Sequence, residues 1–166
     1  TVRTPDSAGY CHAIGLDLEG WLADGLVDVL VAGGDFRLNS RADAVELGHR
    51  HDVPVWCDHD IAVRYQKAGR FNRNSIETLR ARASDSWQSG ADALYFFNWF
   101  SPKHAMWREL GDPEGLRALP KTYFANVMGQ SGWRTAEVAL RGGLRFLNLT
   151  QPHASSPVRL ADGNPV

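Results

Sequence analysis

The feature that most constrains this chain is an alternation, repeated three times, of a helix-like segment with a short apolar run. Leu16 to Gly25 opens with Asp17 as a cap, places Leu18, Trp21 and Leu22 at helical spacing and stops at Gly25. The run Leu26 to Val31 follows at once and ends in Ala32-Gly33-Gly34, the pattern of a strand buried on both faces. Ser40 to His51 reads as a second helix with Ser40 as cap, followed by Val53-Pro54-Val55-Trp56-Cys57, a strand with proline near its start. Ser75 to Ser89 is the clearest helix, since Asn74 and Glu77 have capping-box spacing and Ile76, Leu79, Ala83 and Trp87 form one stripe. Gly90 stops it, and Ala91 to Phe97 reads as the next strand. Helices and strands alternating through short connections imply parallel strands joined by right-handed crossovers.

Val2 and Arg3 read as the end of one further strand, with Thr4-Pro5-Asp6 opening the next loop, which makes four strands in all. Beyond Phe100, His104 to Leu110 predicts a helix and Asp112-Pro113-Glu114 starts a shorter one, while Lys121 to Phe124 fits no single class. From Leu144 the alternation in Leu144 to Leu149, the Pro, Ser and Gly turns and Val158-Arg159-Leu160 predict the start of a β-rich appendage. The expected division is residues 1–130 as an α/β unit and 131–166 as linker and appendage. Internal repeats and low-complexity runs are absent.

Charge and length exclude several classes. With 18 basic and 19 acidic side chains the net charge is -1, without the basic footprint that phosphate backbones require, so no nucleic-acid partner is expected. Nor is a membrane: no stretch reaches the roughly 20 apolar residues that span a bilayer. The closing Asp162-Gly163-Asn164-Pro165-Val166 reads as a turn entering another strand, so the chain is expected to be a piece of a longer protein, and its localisation stays open. Cys11 and Cys57 are too sparse for a disulfide framework and read as buried thiols.

The order of these phrases resembles bacterial glycosyl-hydrolase-like barrel proteins. The resemblance rests on Val2-Arg3-Thr4-Pro5, Ile14-Gly15-Leu16-Asp17 through Trp21, Gly25 to Val31, Glu77-Thr78-Leu79-Arg80, Trp87 to Gly90, Ala91 to Asn98 and Gly111-Asp112-Pro113, covering roughly residues 2 to 124. It implies a partial (β/α)8 (TIM) barrel in which the four strands are the fifth to eighth. A full barrel of this type needs about 250 residues. The N-terminal half, with a strand ending in paired acidic residues, would have to be supplied from outside this chain. A half barrel alone exposes two strand edges, and self-association of the isolated piece is the expected consequence.

In such barrels the reactive groups lie at the C-terminal ends of the strands. That rule selects Arg3, Gly33-Gly34-Asp35, Asp58-His59-Asp60 and Asn98-Trp99, and places His49 and His51 on the opposite side. Glycosidic cleavage uses two carboxyl groups, and Asp58, Asp60 and Asp35 are the candidates, each of which can also be an ordinary loop aspartate. Asp58 is preferred because it follows its strand directly. Trp56 and Trp99, with Phe100, can stack on the apolar face of a sugar. Asn98 and His59 can hydrogen-bond hydroxyls, and Arg3 can pair with a carboxylate of an acidic sugar or of the protein. Strand alternation puts Phe96 with Asn98 on one face and Phe97 with Trp99 on the other, and core packing accounts for Phe96 and Phe97.

The resulting expectation is a carbohydrate substrate and a glycosidase incomplete without its other half, with no cofactor. The alternatives are a non-catalytic carbohydrate-binding or scaffold barrel and, on the residue types of Asp58-His59-Asp60, a metal-dependent hydrolase. Against the last, neighbouring residues on an extended segment point in alternating directions, so no metal ligands are assigned. Gly33-Gly34 lacks the Lys and Ser/Thr of a phosphate loop, and no serine sits in a nucleophile elbow.

Overall fold

The computed structural model describes residues 1–33, 39–59 and 75–123. Asp35, Asp60, Asn74, Gly34 and the expected appendage at 131–166 therefore lie outside the described residues. The fold is α/β, with the order β1 (Val2–Thr4), α1 (Ala8–Ala13), α2 (Leu18–Ala23), β2 (Leu30–Ala32), α3 (Arg41–His49), β3 (Val55–Asp58), α4 (Ile76–Gln88), β4 (Ala93–Tyr95), α5 (Met106–Glu109) and α6 (Pro113–Arg117). The four strands form one parallel sheet in the order β1-β2-β3-β4.

Register and pleat divide the sheet into two faces. Arg3, Val31, Trp56 and Ala93 are mutual partners across the four strands, and Asp58 pairs with Tyr95 in the next row of the same face. The alternate residues Val2, Leu30, Ala32, Val55 and Cys57 pack with Leu18 and Leu22 of α2 and Ala44, Val45 and Leu47 of α3 in one cluster. Leu94, in the same row as Cys57, joins Leu79 and Ala83 of α4, Met106, Leu110 and Leu116 in a second. Among the described residues, both helix-packed clusters lie on this side of the sheet. Each fully buried leucine contributes roughly 1.5–3 kcal/mol relative to exposure, so this side is where the stability resides.

Local chemistry sets the boundaries. Asp17 accepts from the Gly20 N–H and Ser40 from that of Ala42, so both expected caps are present. The cap of α4 is Ser75, whose hydroxyl accepts from Thr78 N–H at 3.3 Å, one residue later than the spacing suggests. Expected strand 26–31 shortens to Leu30–Ala32 because Gly25, at φ +68°, turns the chain back and ties the Leu26 N–H to Trp21 O, leaving Leu26 68% exposed. Expected strand 91–97 shortens to Ala93–Tyr95 because Phe97 and Asn98 form a turn with Asn98 at φ +56°. In the predicted helix 104–110 only Met106–Glu109 is helical, since the His104 ring accepts the Met106 N–H just before it. Helix α1 was not expected: Ser7 caps it through Tyr10 N–H and its one fully buried side chain is Cys11. Cys11 and Cys57 are both buried free thiols, and burial pushes the Cys11 thiol up. No helix among the described residues is long and apolar enough to cross a membrane.

Candidate functional site

The sheet face opposite the two described helix-packed clusters carries a charged pair at its C-terminal end. Arg3 lies on β1 and Asp58 at the end of β3, with β2 between them, so their backbones are separated by two strand spacings, about 9.6 Å. The side chains close that gap, the Arg3 Nε donating to Asp58 Oδ2 at 2.5 Å. Gly33, just past β2, makes the bridge possible. Its N–H continues the ladder to Thr4 O, and a Cβ built on it would stand 2.7 Å from the Asp58 Cβ and 3.5 Å from the Asp58 backbone. Any side chain here would occupy the path that Asp58 takes.

The pair is unequal in its access to solvent. The Asp58 side chain is 0% exposed and that of Arg3 31%. The Arg3 guanidinium carbon lies 4.4 Å from the centroid of the Phe97 ring, a cation–π contact that adds to the Asp58 bond in fixing the plane of the guanidinium. Phe97 is itself 37% exposed, and Asn98 beside it is exposed. At this end of the sheet the Arg3 guanidinium lies against an aromatic ring, with the Asp58 carboxylate enclosed beside it.

Asp58 and His59 diverge. The His59 ring turns to the helix side, where it is 1% exposed, stacks on Phe96 at 5.2 Å and contacts Ser86 Oγ at 2.9 Å through Nε2. Ser86 Oγ also lies 3.2 Å from Arg82 O within α4. His59 ties β3 to α4 instead of facing Arg3. The two neighbours do not converge on one ion, and no group of three or more His, Cys, Asp or Glu able to hold a metal occurs among the described residues.

Of the other expected site residues, Trp56 lies on the same face as Arg3, partly exposed and one row below Asp58. Trp99 is drawn into the helix-side cluster, edge-on to Phe96 at 6.3 Å and to His104 at 5.6 Å, and its buried indole N–H has no hydrogen-bond partner. The alternation argument for residues 96–99 fails because the strand has already ended: Phe96 and Trp99 share a cluster, and Phe97 lies against Arg3. Asp35 and Asp60 are outside the described residues.

Two contributors were not foreseen. Phe97 could have been found as the aromatic residue directly beyond a strand end. Arg41, at the first turn of α3, donates to the Asp58 carbonyl at 3.4 Å and to Asp85 at 3.0 Å, clamping the end of β3 to α4. The opposite end of the sheet is structural: Asp92 accepts from Val55 N–H at 2.7 Å and contacts His49 Nε2 at 2.8 Å. Burial alone would raise the Asp92 carboxyl, but the hydrogen bonds with His49 and Val55 outweigh it and hold it below its usual range. A cavity of about 190 Å³ lies elsewhere, in the helix layer over Leu18, Leu30, Ala44 and Leu47, on the other side of the sheet from the Arg3–Asp58 pair. Set against models of known protein families and against curated protein sequences, the chain matches none.

Proposed function

We propose that this chain contributes strands five to eight of a glycoside-hydrolase-like (β/α)8 barrel and that it binds carbohydrate at the C-terminal mouth of the sheet. Two features of the sheet support the barrel. Strands in strictly consecutive order, with both described helix-packed clusters on the same face, fit winding in a single sense. A doubly wound sheet reverses its order and carries helices on both faces, whereas a barrel turns its helix-free face into the lumen. The remaining strands, with the second carboxyl group that hydrolysis needs, would come from outside this chain.

The observation that carries the ligand site is the Arg3–Asp58 bridge over Gly33, spanning three neighbouring strands at the end where barrels place their chemistry. Its geometry refines the role of Asp58. Enclosed and ion-paired, Asp58 is suited to holding Arg3 in place. That favours a binding mouth, and it makes a non-catalytic carbohydrate-binding barrel the second reading.

The test uses the full-length polypeptide that carries this chain, assayed for binding and for release of reducing ends on a panel of soluble glycans. Binding that Asp58→Asn weakens, in a variant with an unchanged far-ultraviolet circular dichroism spectrum, is the expected result. Turnover separates the hydrolase from the binding barrel, and absence of binding to every glycan removes the carbohydrate reading.

A further inference from the structure

We infer that His104 is an acid-sensitive cap: its neutral ring holds the start of α5, and a protonated ring releases it. The inference goes beyond the carbohydrate reading and is independent of what the mouth binds. Ala105, directly before α5, makes no side-chain cap, and the residue before it does so instead: His104 Nδ1 accepts the Met106 backbone N–H at 3.2 Å. That N–H belongs to the opening turn, whose donors have no acceptor within the helix. The next two amides, of Trp107 and Arg108, are served by the carbonyls of His104 and Ala105. Met106 itself is 1% exposed and packs in the core with Leu79, Leu110 and Leu116, so its amide cannot turn to water if the ring withdraws.

An imidazole nitrogen accepts through the lone pair that a proton would take. A second proton on the ring therefore sets N–H against N–H at this contact. Histidine is the side chain whose ordinary charge change falls between about pH 5 and 8. The caps of the other helices are Ser7, Asp17, Ser40, Ser75 and Asp112, whose oxygens keep a lone pair throughout that range. Of these helix starts, only that of α5 is held by a group that mild acid converts from acceptor to donor.

The charges around the ring favour its departure once it is a cation. Glu109, on α5, is gripped by Arg80 of α4 through two nitrogens, and the charge of His104 adds to that of Arg80 in holding the Glu109 carboxyl below its usual range. Glu77, also on α4, brings a further negative charge to Glu109. On α6, Glu114 and Arg117 face each other at 3.4 Å, and Lys103, beside His104 in the chain, is exposed. Trp99 meets the His104 ring at 5.6 Å and packs with Met106 in the same cluster. Release of α5 thus slackens the connection from β4 to that cluster, the stretch that sets out with Phe97 against Arg3.

His104→Asn separates capping from titration, because an asparagine oxygen also accepts from the N–H two residues on and takes up no proton in this range. Hydrogen–deuterium exchange of the peptide that spans α5 is measured in a polypeptide containing this chain and in its His104→Asn variant, at about pH 7.5 and about pH 5. The ratio of the two exchange rates at each pH cancels the intrinsic pH dependence of exchange and the titration of every other group. Equal rates are expected at the higher pH, and exchange about fivefold or more faster in the parent at the lower, the scale of one lost cap. A ratio that does not change with pH overturns the inference. A second measurement does not depend on the variant: nitrogen NMR of the imidazole at neutral pH is expected to find the His104 proton on Nε2, and a proton on Nδ1 overturns the cap. Neither readout involves a ligand, so failure here and failure of the carbohydrate reading are distinguishable.

Discussion

Replacing Gly33 with alanine isolates the physical requirement on which the charged bridge depends. Two costs combine. Gly33 sits at φ +138°, a backbone conformation in which L-residues are strained by about 1–3 kcal/mol. The added methyl carbon would also stand 2.7 Å from the Asp58 Cβ and 3.5 Å from its backbone, atoms fixed by the β3 ladder, and overpacking of this kind costs about 1–3 kcal/mol. Gly25→Ala supplies the control, because Gly25 is at φ +68° with nothing within 4 Å of the built Cβ, so it carries only the left-handed backbone cost of about 1–2 kcal/mol. The difference between the variants, about 2–3 kcal/mol, reports the close approach of Asp58 together with the less favourable φ. In urea denaturation, with a slope of about 2 kcal/mol/M, the midpoint of Gly33→Ala should fall about 1–1.5 M further than that of Gly25→Ala. Equal shifts would show that Asp58 does not pass over Gly33, and the geometry of the mouth would then be wrong.

Two ion pairs away from the mouth make predictions about acid stability. Arg80 grips Glu109 through two nitrogens at 2.8 and 3.1 Å and holds its carboxyl below the usual range. The folded value is the lower one, so the stabilisation is complete above the ordinary carboxylate range and lost as pH falls through the folded value. Glu109→Gln should cost about 0.5–1 kcal/mol at pH 7, given partial solvent screening, and nothing measurable near pH 2. Asp92, likewise lowered overall, should behave with the same sign: Asp92→Asn lowers the melting temperature at neutral pH, and the gap to the parent closes in acid. A gap that widens in acid for either variant would contradict the assigned pairs.

Much of the framework was legible because it is local. Asp17 and Ser40 cap the helices they precede, the α4 stripe of Leu79 and Ala83 is buried, and three apolar runs contain strands. Strand ends were misread where tertiary or turn geometry decides them: Leu26 is returned to α2 by Gly25, and the Phe97–Asn98 turn cuts β4 short. Helix α1 escaped because Ala-Gly-Tyr-Cys-His-Ala has one fully buried side chain and no stripe, so Ser7 was its main signal. At the site, the rule that chemistry gathers at strand ends picked out Arg3, Gly33 and Asp58. It could not foresee that His59 turns to Ser86, or that Phe97 rather than Trp99 reaches the mouth, since both depend on which partner lies across the sheet.

The most direct test of the central claim is a crystal structure of a polypeptide that contains this chain, soaked with an oligosaccharide that it binds. The account predicts a sugar ring against Phe97 within hydrogen-bonding reach of Arg3, with the Arg3–Asp58 bond intact beneath it. Sugar bound elsewhere, with Arg3 and Phe97 untouched, would reduce the bridge to a structural ion pair and contradict the proposed mouth.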